Sequence, residues 1–118
     1  MRTRTRATSQ NEIENHLTNL WKRRMMTEKG YPEKKAEQIA QRLKSLVAYL
    51  KSDYALIAYF KQDGTFQLVR GTLIPYAKEF RHSFDITKVH STFVYWDIET
   101  ESWRTFQIEN FLDWKTFI

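Results

Sequence analysis

The side chains able to do chemistry are few, and their spacing settles most of what they can do. The three histidines, His16, His82 and His90, lie far apart, and none has a second ligand at the i, i+4 spacing that puts two donors on one helix face. Ser83 and Ser91 each follow a histidine directly, but a nucleophile and its base must be adjacent in space rather than in sequence. Asp97, Glu99 and Glu101 gather in one short stretch, where a solvated acidic turn explains them without a cation. The three glycines are isolated, so no phosphate-cradling loop is written into the chain. With no cysteine there is no disulfide framework and no thiolate metal site. These patterns point away from catalysis, and neither a metal nor a cofactor is expected.

Charge and aromatic surface are what the sequence offers instead. Residues 1–52 carry 12 Lys/Arg against 5 Asp/Glu, whereas residues 53–118 carry 7 against 9. Such asymmetry suggests that the first half meets a polyanion or an acidic partner. The cations nominated for phosphate are Arg2, Arg4 and Arg6 of an Arg-Thr arm, with Lys22, Arg23, Arg24, Lys34 and Lys35 further on. Lys44 and Lys51 would extend the patch. Aromatics make up 15% of the chain, enough to supply rings on which bases could stack. Tyr59 and Tyr95 are nominated for that role, ahead of Trp96 and Trp103. The competing account is that aromatics on short strands form core or cross-strand pairs.

The elements that must position these groups follow from periodicity. Residues 1–8 lack apolar periodicity and read as a disordered arm. Ser9 and Glu12 have capping-box spacing, and Ile13, Leu17, Leu20, Trp21 and Met25 then fall on one helical face until Gly30. Pro32 suits the first position of a second helix, whose stripe runs Ala36, Ile39, Ala40, Leu43, Leu46, Val47 and Leu50. Residues 9–52 therefore form an αα-hairpin. Residues 53–118 read as a small β-barrel domain. A strand over 55–61 meets the Asp63-Gly64 turn, and a return strand over 65–74 carries Gly71 as a bulge or bend. Tyr76, Phe80 and Phe84 lie in a loop or helical turn. Strands follow over 89–97 and 103–108, and residues 110–114 form a final helical turn or closing strand. The expected fold is α+β, with the hairpin packed on a small barrel of about five strands.

Three stretches carry a resemblance. They are Phe60-Lys61-Gln62-Asp63-Gly64-Thr65 with Arg70-Gly71-Thr72-Leu73, then Tyr95-Trp96-Asp97, then Trp103-Arg104-Thr105-Phe106 after an acidic turn. Over about residues 55–112 the chain resembles a family of Sm-like, SH3-like small β-barrels related to the WYL domain, found in Bacteroidota and their phages and mobile elements. The resemblance implies a small-barrel fold and a ligand- or nucleic-acid-binding role, and it does not imply catalysis. The Trp-Tyr-Leu tripeptide of the larger family is absent.

The functional expectation is a non-catalytic nucleic-acid-associated accessory or regulatory protein, encoded by a phage or mobile element. The alternative is a protein–protein adaptor or homo-oligomeric structural protein. Trp21, Met25, Met26, Phe111, Trp114 and Phe117 exceed what so small a core needs and would mark its interface. No run reaches the roughly 18 apolar residues of a membrane span, and the basic first residues lead into no apolar stretch. A soluble protein without a secretory leader, in the cytoplasm of a bacterial or phage-infected cell, is expected.

Overall fold

A computed structural model describes residues 9–117 of the chain. Arg2, Arg4, Arg6 and the rest of the expected arm lie outside the described residues. Helix α1 spans Gln10–Lys29. The Ser9 hydroxyl accepts the Glu12 amide at 3.1 Å while the Glu12 carboxylate accepts the Ser9 amide, so the capping box forms as its spacing requires. Gly30 stops the helix in the left-handed conformation, φ 68°. Helix α2 spans Glu33–Leu50, with Pro32 at the cap rather than inside the first turn.

Five antiparallel strands follow: β1 Tyr54–Phe60, β2 Phe66–Thr72, β3 Thr92–Asp97, β4 Ser102–Gln107 and β5 Phe111–Thr116. Their order in the sheet is β4-β3-β2-β1-β5. A short helix α3, Tyr76–Phe80, and a 3-10 turn at Ile86–Lys88 separate β2 from β3. Val89, His90 and Ser91, the first residues of the expected strand, leave that turn as a bend, with the Val89 amide donating to the Ile86 carbonyl, so β3 starts at Thr92 instead of Val89. A second 3-10 turn, Ile108–Asn110, leads into β5, which closes the sheet against β1.

The sheet curls until side chains from its two ends meet inside. Tyr59 of β1 stacks on Phe106 of β4 at 4.7 Å between centroids, and Phe106 in turn stacks on Phe111 of β5 at 6.0 Å. Gly71 permits this inward crowding. A Cβ there would lie 2.8 Å from Cδ2 of Tyr95 and 2.9 Å from Cδ1 of Ile57. The β1–β2 register runs unbroken through Gly71, so of the expected bulge or bend there is no bulge, and the residue serves close approach. The irregularity lies instead between β1 and β5, at Ala58/Tyr59.

Helices and strands share one core. Leu17, Trp21, Met25, Leu43 and Leu50 pack with Ile57, Phe93, Ile108 and Phe111, all of them buried. The secondary-structure boundary near residue 52 is therefore no boundary of the core. Trp21 is fully buried, and its indole N–H donates to the Val89 carbonyl at 2.7 Å. Trp21, Met25 and Phe111, expected to mark an interface, are core instead, each worth about 1.5–3 kcal/mol of burial. Trp114 is held too. Its indole donates to the Arg42 carbonyl at 2.9 Å, and the Arg42 guanidinium stacks over its ring and bonds Asp113.

Candidate binding groove at the barrel mouth

The two tyrosines nominated for stacking are not available to a base. Tyr59 is 2% exposed and Tyr95 is fully buried. Their hydroxyls share a 2.7 Å hydrogen bond, and the rings meet edge to face. Burial, then the bond to Tyr59, pushes the Tyr95 phenol well above its ordinary range, so it stays neutral. The physical reason is strand phase: Ala55, Ile57 and Tyr59 share the inner face of β1, as Phe93 and Tyr95 share that of β3. Apolar residues on both phases of β1 conceal which face is inner. Trp96 and Trp103 are half-buried on the outer face, where Trp103 donates to Glu79 of α3 at 2.9 Å.

The helical cations do not gather into one patch. Lys22 bridges to Glu33 at 3.0 Å and Glu37 at 3.5 Å, tying α1 to α2. Arg24 turns the other way and pairs with the buried Glu109 at 2.7 Å. The hydrogen bonds to Glu33 and Glu109 hold Lys22 and Arg24 above their ordinary values. Arg23 faces solvent between them, and among the described residues no carboxylate lies within 4.0 Å of it or of Lys34. Lys35 lies over the Tyr31 ring at 4.5 Å.

A groove opens above the Tyr59–Tyr95 pair. One part, about 340 Å³, is lined by Tyr59, Lys61, Arg104, Thr105, Gln107 and Asn110 among others. A second part, about 420 Å³, shares Phe60, Lys61, Gln62 and Asn110 with the first and reaches Glu28 and Lys29 at the end of α1. The groove therefore joins the basic helical half to the barrel. Asn110 sits at the join, held there by the 3-10 turn between the buried residues Ile108 and Phe111.

Asn110 differs from the other buried polar groups. Five polar or charged residues are buried among those described: Thr18, Thr72, Asp97, Glu109 and Asn110. Thr18 donates to the Asn15 carbonyl and Thr72 to that of Asp53. Asp97 accepts the Glu99 and Thr100 amides, and Glu109 has Arg24. Among the described residues the Asn110 carboxamide has no partner, although the residue is only 7% exposed. A carboxamide offers two donors and an acceptor, and burying it unpaired costs about 1–3 kcal/mol. Unpaired buried groups in native proteins call for an explanation, such as a water, an ion or a ligand that meets them. Lys61 and Lys29 are exposed on the rim, and Arg104 approaches Asp97 only to 4.0 Å.

Sequence reasoning missed Asn110. The available signal was a polar Glu-Asn pair wedged between Ile108 and Phe111 in a connection too short to loop outward. The acidic cluster has structural work: Asp97 caps its turn, and Glu99 pairs with Arg70 at 2.8 Å. No group of three or more His, Asp or Glu among the described residues is placed to hold a metal ion. No helix among them is long and apolar enough to cross a membrane.

Residues 43–112 match the family model WYL_2, described as an Sm-like SH3 β-barrel fold. The chain belongs to this WYL_2 family. The match begins within α2 and covers β1 to β4, α3, both 3-10 turns and the start of β5. Every residue of the WYL_2 groove except Glu28 and Lys29 of α1 falls inside it. No curated protein and no solved structure matches the chain.

Proposed function

We propose that the protein is a non-catalytic, nucleic-acid-associated accessory or regulatory protein whose barrel-mouth groove receives a base from a single strand. The buried Asn110 carboxamide, without a partner among the described residues, carries this reading. An asparagine side chain can pair with a base edge through a donor and an acceptor at once, as it does with adenine. The half-buried Phe60 beside it offers a ring for stacking. Lys29, Lys61 and Arg104 stand around the opening, where the flanking phosphates would pass. Glu28 and Asp63 share the rim, so the groove is of mixed charge and suits one strand better than the dense phosphates of a duplex. Arg2, Arg4 and Arg6, with Arg23, Lys34 and Lys35, would add a general attraction for phosphate. The small-barrel family and the basic first half fit a phage- or mobile-element-encoded protein acting in the cytoplasm.

Fluorescence anisotropy of labelled single- and double-stranded oligonucleotides at two salt concentrations tests the reading. Single strands should bind, the affinity should fall with salt, and Asn110→Leu should weaken binding about tenfold, as loss of one bidentate base contact does. Deleting residues 1–8 should lower affinity for all sequences alike. Absence of binding at low salt would overturn the reading. Binding indifferent to Asn110→Leu would remove the groove from it. An adaptor role has one specific observation in its favour, the exposure of Phe66 and Leu68 at 54% and 57%.

A further inference from the structure

Phe66 and Leu68 are the two most exposed large apolar side chains among the described residues. They stand side by side on the outer face of β2, opposite Phe60 and Ala58 of β1. β3 pairs with β2 only at Gly71 and Thr72, so from Phe66 to Val69 the far edge of β2 has no strand neighbour. The Lys61 amide donates to the Thr65 carbonyl at 2.8 Å, which fixes the phase of the strand. Residues 65, 67 and 69 bond toward β1, and residues 66, 68 and 70 direct their N–H and C=O groups to the open side. The Ile98 amide, donating to the Arg70 carbonyl at 3.0 Å, obeys that phase. Among the described residues the Phe66 N–H and both main-chain groups of Leu68 are unpaired, and the Phe66 carbonyl accepts only the exposed Gln67 side-chain amide, at 3.3 Å. Such an edge beside exposed apolar side chains invites another strand.

We infer that this edge pairs antiparallel with the same edge of a second copy, about a two-fold axis at Gln67. That register sets Phe66 against the partner's Leu68 and Leu68 against the partner's Phe66. All four residues are in the bonding phase, so four main-chain hydrogen bonds form, the partner's Leu68 amide replacing the Gln67 side chain on each Phe66 carbonyl, and two Phe–Leu contacts cover the apolar patch. A two-fold midway between residues would oppose bonding and non-bonding phases. One centred on Leu68 would need the Arg70 carbonyl, already taken by Ile98. Charge agrees with the register, because Arg70, already paired with Glu99 of its own chain at 2.8 Å, comes level with the partner's Gly64, next to the partner's Asp63, whose carboxylate would share the guanidinium. The Asp63 carboxylate accepts the Thr65 amide at 2.9 Å, and the Thr65 side chain and then this amide hold its pKa below the ordinary value, so it stays ionised. The interface is isologous and closes as a dimer. Neither Phe66 nor Leu68 lines the groove, but Asp63 and Gly64 do, and the Phe60 ring meets Phe66 edge to face at 6.1 Å, so the interface borders the groove without covering Asn110.

Sedimentation velocity over a concentration series tests the pairing on the full chain. The wild type should reach the mass of two chains, and Leu68→Lys should return it to one. Asp63→Asn keeps an acceptor for the Thr65 amide, and it should weaken association several-fold. Leu68 is exposed, so a thermal melt of Leu68→Lys at low concentration should match that of the monomeric wild type. Amide exchange at Phe66 and Leu68 should slow as wild-type concentration rises. A one-chain mass at every soluble concentration would overturn the inference. So would a dimer that survives Leu68→Lys with both amides still exchanging fast.

Discussion

Tyr59 and Asn110 both line the groove, and both are buried, at 2% and 7% exposure. Tyr59 has a partner of its own chain, the Tyr95 hydroxyl, while Asn110 has none among the described residues. A buried tyrosine pair whose rings both pack on Phe106 and whose hydroxyls bond each other is complete as it stands, and its role is to hold the barrel closed. A buried carboxamide left open at the mouth of a groove lowers stability unless something binds it. The contrast separates a polar group kept for the fold from one kept for a ligand, and substitutions on each side should behave oppositely.

The largest effect belongs on the tyrosine side. Tyr95→Ala removes a fully buried ring that contacts Tyr59 and Phe106, and should cost about 3–5 kcal/mol in urea unfolding. Gly71→Ala tests the same packing from the opposite direction. Its new methyl would meet Tyr95 at 2.8 Å and Ile57 at 2.9 Å, both in the core, so a loss of about 1–3 kcal/mol is expected. A neutral result at Gly71 would mean that the Tyr95 ring has room to move, and the contrast with Asn110 would weaken.

How far the sequence reveals this arrangement depends on the element. Helix α1 is legible to within a residue because Ser9, Glu12 and Gly30 act locally, through caps that need nothing distant. The β1–β2 hairpin is legible from Asp63-Gly64, where Gly64 takes φ 87° and the Asp63 carboxylate accepts the Thr65 amide. The inner face of β1 is not legible. Leu56, Ile57, Ala58, Tyr59 and Phe60 are apolar in succession, so no alternation marks Tyr59 as inner and Phe60 as outer. Trp21 and Met25 become core only because the 3-10 turns and α2 cover them, a long-range fact that periodicity cannot carry. The groove is illegible for the same reason, since Lys29, Lys61, Arg104 and Asn110 meet only once the sheet has curled.

A milder change isolates the tyrosine hydrogen bond. Tyr95→Phe keeps the ring and leaves the Tyr59 hydroxyl buried without its partner, at a cost of about 1–2 kcal/mol. Tyr59→Phe added to it should recover much of that loss, because both polar groups are then gone. The bond also has a pH signature. Burial raises the folded-state pKa of Tyr95 above the ordinary 10.0 of the unfolded chain. Its contribution is therefore complete below pH 10.0 and is lost as pH rises from there toward the folded value. Alkaline unfolding should be steeper in the wild type than in Tyr95→Phe.

Asn110→Leu should have the smallest effect on stability and the most informative sign. If the carboxamide is an open group awaiting a ligand, an apolar side chain of similar volume removes an unpaired dipole. Stability should then stay within about 1 kcal/mol of the wild type or rise. Arg24 and Glu109, one residue away, keep their own 2.7 Å bond and hold the turn in place. A loss comparable to that of Tyr95→Phe would instead show that Asn110 has a partner within the fold, and the two groups would then be of one kind. Oligonucleotide binding measured on the same variant completes the comparison. Stability kept while binding falls separates the ligand-facing amide from the fold-holding tyrosines in one protein.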